Sequence, residues 1–76
     1  MGKRNARVEI RKRAHMSSGL LNLLRDDVDQ LRADATDFDI ICLEESLKDA
    51  RSTLQMFVDN ITEMEYILYL FKSKES

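Results

Sequence analysis

From residue 43 to residue 71 an apolar side chain returns every third or fourth position: Leu43, Leu47, Ala50, Leu54, Phe57, Ile61, Met64, Leu68 and Phe71. The steps alternate four and three without a miss. An α-helix turns once per 3.6 residues, so the pattern predicts one stripe along one face of a helix at about residues 37–72. Neither Pro nor Gly interrupts it. A stripe this regular suits lengthwise packing against other helices.

A shorter stripe precedes it. Leu21, Leu24, Val28, Leu31, Ala35 and Phe38 share one rhythm, with Asn22, Arg25, Asp26, Asp29, Gln30, Arg32 and Asp34 on the other face. This predicts an amphipathic helix at about residues 19–34, started by Ser17 or Ser18 as an N-cap. Between the stripes, at about residues 33–38, the rhythm slips by one residue. The slip predicts a turn, with Asp34 or Thr36 capping the second helix and Thr36 with Asp39 resembling a capping box. A hairpin is expected over one continuous helix of about fifty residues, because soluble helices are far shorter than that on average.

The expected fold is therefore all-α: a helical hairpin with a short first helix and a long second one, assembling into an oligomeric helix bundle or coiled coil. The second helix would be about 50 Å long and the first about half that. Unless the basic N-terminal arm is helical and extends the first helix back towards residue 3, the uncovered half calls for a partner. Its end is the most apolar part of the chain, because Tyr66, Ile67, Leu68, Tyr69, Leu70 and Phe71 run consecutively and cover the whole circumference of a helix. The predicted partner interface is Leu43, Leu47, Leu54, Phe57, Ile61, Met64 and those six residues.

Charge changes the picture at the N-terminus. The net charge is −2, yet six of the 12 basic residues lie in residues 1–16 with Glu9 as their only acidic neighbour. Lys3, Arg4, Arg7, Arg11, Lys12 and Arg13 are candidate phosphate contacts, and nucleic acid is a candidate partner through residues 3–13. Arg11-Lys12-Arg13 also has the composition of a nuclear import signal. With so little apolar content, residues 1–16 are expected to form a flexible basic arm, disordered or helical only on binding, followed by a hairpin domain at 17–72 and a polar tail at 73–76. His15-Met16 is a dipeptide that cloning junctions leave behind, and the charge break falls there, so a start at Met16 is a second reading of the same stretch.

Candidate chemistry is sparse. The acidic groups at Asp26–Asp29 and Asp34–Asp39 fail the EF-hand spacing, because Leu31 or Ile41 occupies the fifth position. Cys42, the single cysteine, lies in an apolar run and is expected to be buried and structural; His15 has no partner at catalytic spacing. The expectation is a protein that is not an enzyme, with no cofactor, metal or small-molecule substrate. The longest apolar run is six residues, against about twenty for a membrane span, so no membrane is expected. One cysteine and no visible signal peptide suit an intracellular setting, cytoplasmic or nuclear. The leading functional expectation is a non-catalytic interaction module, adaptor or complex subunit that binds another helical protein, itself or both. The alternative is a small dimeric nucleic-acid-binding regulator.

Overall fold

The computed structural model describes the backbone of residues 3–75 and the side chains of residues 5–73. It is an all-helical hairpin: α1 runs Lys3–Asp37 and α2 runs Ile40–Glu75. The rod measures 55 × 16 × 13 Å.

The first helix is not short. Its 35 residues nearly match the 36 of α2. From residue 3 on, the stretch expected as a flexible arm belongs to α1, and the helix runs straight through Ser17, Ser18 and Gly19 instead of starting there. The reason is packing that the composition of the arm conceals. Ala6 is buried and Ile10 half-buried, and Arg7 and Arg11 line a groove with Leu68 and Phe71 of α2. Long basic side chains cover apolar surface with their stems while the charge stays in water.

The reversal takes two residues, Phe38 and Asp39, later than the sequence suggests. Phe38 adopts a left-handed φ of 51°. The Phe38 amide donates to the Ala35 carbonyl and the Asp39 amide to the Asp34 carbonyl, each at 3.3 Å. That pair of bonds is a Schellman close, which usually places Gly where Phe38 stands. Asp39 caps α2, its Oδ1 accepting from the Cys42 amide at 3.1 Å. Thr36 is not the cap; its hydroxyl donates back to the Arg32 carbonyl inside α1.

The helices meet along one seam. On α1 it comprises Ala6, Ile10, Arg13, Ser17, Leu20, Leu24, Asp27, Leu31 and Asp34, and on α2 Leu43, Ser46, Ala50, Thr53, Phe57, Asn60, Met64, Ile67 and Phe71. Half of the α2 apolar stripe thus faces α1: Leu43, Ala50, Phe57, Met64 and Phe71. Between them the seam takes Ser46, Thr53 and Asn60, not Leu47, Leu54 and Ile61. Polar residues on α1 dictate this rotation. Ser46 donates to Asp34 and Thr53 to Asp27. Asn60 Nδ2 donates to the Arg13 carbonyl at 2.8 Å and to Ser17 Oγ at 2.9 Å, and Arg13 Nη1 donates to Asn60 Oδ1 at 3.2 Å. Leucines opposite Asp27 and Asp34 would leave carboxylates in the seam without a donor.

Candidate functional site

The rotation that satisfies the polar groups leaves apolar ones uncovered. Leu47, Leu54, Ile61 and Leu68 each follow a seam residue of α2 by one position, and all four are exposed, Leu47 by 52%. On α1, Leu21 and Val28 also follow seam residues by one, and both are exposed. In an antiparallel pair of right-handed helices, the residue after an inward-facing one swings to the same side of the hairpin in both. The two stripes therefore form one face. The groove that joins Arg7 and Arg11 of α1 to Leu68 of α2 lies on that side.

The face resembles the inside of a bundle. Ala14 and Ala35 extend it along α1. Its outer borders carry Arg11, Ser18, Arg25 and Arg32 on α1 and Glu44, Arg51, Val58 and Glu65 on α2. Borders of mixed charge around an apolar centre are the pattern of a protein contact. The covered seam, by contrast, buries only two apolar side chains deeply among the described residues, Ala6 and Ile67.

The predicted interface residues divide. Leu43, Phe57, Met64, Ile67 and Phe71 are turned towards α1, while Leu47, Leu54, Ile61, Tyr66, Leu68, Tyr69 and Leu70 are exposed. The apolar end at 66–71 is covered on one side only, by the first turns of α1. Leu21 and Val28 carry the opposite half of the open face; their spacing was legible as a stripe, but its orientation was not.

The candidate phosphate contacts divide as well. Arg7, Arg11 and Lys12 are exposed on α1. Arg13 is half-buried in the seam, and its Nε lies 3.3 Å from Glu9 Oε1, close enough for the charges to pair but off the line of a hydrogen bond. The side chains of Lys3 and Arg4 lie outside the described residues. Cys42 is exposed rather than buried, because Leu43 and Ser46 take the positions of this turn that face α1. Asp39 pushes its thiol above the ordinary value, first by accepting a hydrogen bond and then by adding negative charge beside it. That favours the protonated thiol, the weaker nucleophile.

Among the described residues, no group of three His, Cys, Asp or Glu side chains could hold a metal ion, and no helix is long and apolar enough to cross a membrane. Comparison with protein-family models, curated protein sequences and solved structures finds no match to this chain.

Proposed function

We propose that this protein is a non-catalytic interaction module, a small subunit that holds a complex together by adding its two helices to a larger helix bundle. The open face of Leu47, Leu54, Ile61 and Leu68, continued by Leu21 and Val28, carries the reading. All six side chains are exposed on one side of the hairpin. Contiguous apolar surface of this extent marks an interaction site in a folded protein. The seam supports the same reading from the other direction: its polar layers specify register but contribute little apolar burial, so the hairpin gains most by covering its second face.

The test is the size of the assembly that forms around the tagged chain in cells, read by native sizing of extracts. Leu54→Asp combined with Ile61→Asp should move the chain to smaller particles. Gln55→Asp, on the polar side of α2, should leave it in place. Identical elution of all three chains would overturn the proposal.

A further inference from the structure

We infer that the open face is covered by a second copy of this chain, with α2 running antiparallel to α2 of the copy and Val58 on the two-fold axis. The inference rests on the interaction-module reading and names its occupant.

Area supports an intimate partner. A folded monomer of 8.9 kDa exposes about 4,800 Å², whereas this chain exposes 6124 Å², an excess of about 1,300 Å². Obligate dimers bury about 1,000 Å² or more per copy. The hairpin thus exposes surplus surface of the size that one such contact would remove.

Charge and shape then favour the chain itself. Read outward from Val58, the exposed edge of α2 is self-complementary when reversed. Arg51 comes level with Glu65 of the copy, while Leu54 comes within one residue of Ile61 and Leu47 within one residue of Leu68. The apolar residues meet apolar residues, and the two charged positions are of opposite sign. Two-fold symmetry repeats each pairing, so both Arg51–Glu65 contacts form together. The bonds across the hairpin place α1 at about residues 15–22 level with Val58, so the exposed Leu21 lies close to the same axis.

Sedimentation equilibrium of the purified full chain tests the occupant, and two variants test the arrangement. The expected result is a dimer whose melting temperature rises with chain concentration. In a Cys42→Ser background, Val58→Cys should form a disulfide-linked dimer on mild oxidation, while Asp49→Cys, on the other side of α2, should not. Arg51→Glu alone should weaken the dimer about tenfold by creating two like-charged contacts, and Arg51→Glu with Glu65→Arg should restore it. A folded monomer at about 100 μM would overturn the inference; that concentration lies far above the dissociation constant of an obligate contact. A dimer in which Val58→Cys fails to self-link, or in which the charge reversal fails to restore affinity, would overturn it too. The interaction-module reading stands if a monomeric chain still loses its cellular assembly on Leu54→Asp with Ile61→Asp.

Discussion

Single residues set the ends and the continuity of the two helices. Phe38 holds the left-handed position at the close of α1, with its ring 71% exposed. That conformation costs an L-residue about 1–2 kcal/mol, and glycine returns part of the gain through its freedom in the unfolded chain. Phe38→Gly should therefore stabilise the hairpin by about 0.5–1 kcal/mol, read as a higher denaturation midpoint at fixed chain concentration. Gly19 offers the complementary check. It sits mid-helix with open space around the position of an added Cβ. Gly19→Ala should add about 0.5–1 kcal/mol if α1 is continuous there, and should do nothing if the helix begins afterwards. Cys42 gives a pH signature. Its thiol titrates above the ordinary value because of Asp39, so alkylation should be slow at neutral pH and accelerate only at higher pH than for an unperturbed cysteine. Asp39→Asn keeps a capping side chain but removes the charge, and it should shift the alkylation profile to lower pH.

At the scale of the helices, three polar layers fix how the apolar residues are used. Asp34–Ser46, Asp27–Thr53 and the Arg13–Ser17–Asn60 cluster recur along the seam at seven-residue steps of α2. Each layer is satisfied only in this register, since a slip of one residue would set leucines against carboxylates. Thr53→Val removes the donor to Asp27 and should cost about 1–3 kcal/mol in denaturant titration. Asp27→Leu with Thr53→Val should recover most of that loss, because replacing both partners by apolar groups leaves nothing unsatisfied. The sequence made the helical periods and the hairpin legible, since both follow from apolar spacing and one phase slip. It hid the rotation of α2, because periodicity says which residues share a face and not which half of the face is covered. Ser46, Thr53 and Asn60 were the available signal: they are seven apart and adjoin Leu47, Leu54 and Ile61. Matching them to Asp34, Asp27 and Arg13 requires the register, which pairwise bonding across the hairpin supplies. The helicity of residues 3–16 was legible only as an alternative, since the few apolar residues there, Ala6 and Ile10 among them, gain their cover from α2 and not from one another.

At the scale of the molecule, the shape is a rod and not a ball. A compact domain of this length has a radius of gyration of about 11 Å, and this chain has 17.0 Å. With the two helices nearly equal in length, every turn of α2 depends on a matching turn of α1, and the most apolar turns depend on the most basic ones. Ile67, buried at 5%, sits in the part of the seam that faces Ala6 and Ile10 across the first turns of α1. Removal of residues 1–15 would take away Ala6, Ile10 and Arg13, and with Arg13 the guanidinium and carbonyl that hold Asn60. The basic segment is then a structural half of α1, whatever else its charge does. A chain beginning at Met16 should lose amide-exchange protection from about residue 60 to residue 71 while keeping it near the turn, where Asp34–Ser46 and the Asp39 cap are untouched. The freed end should also raise the tendency to aggregate, because Met64, Ile67 and Phe71 would join Leu68 and Tyr69 in water. Unchanged protection at residues 60–71 in the shortened chain would mean that the second face, and not α1, covers the end of α2.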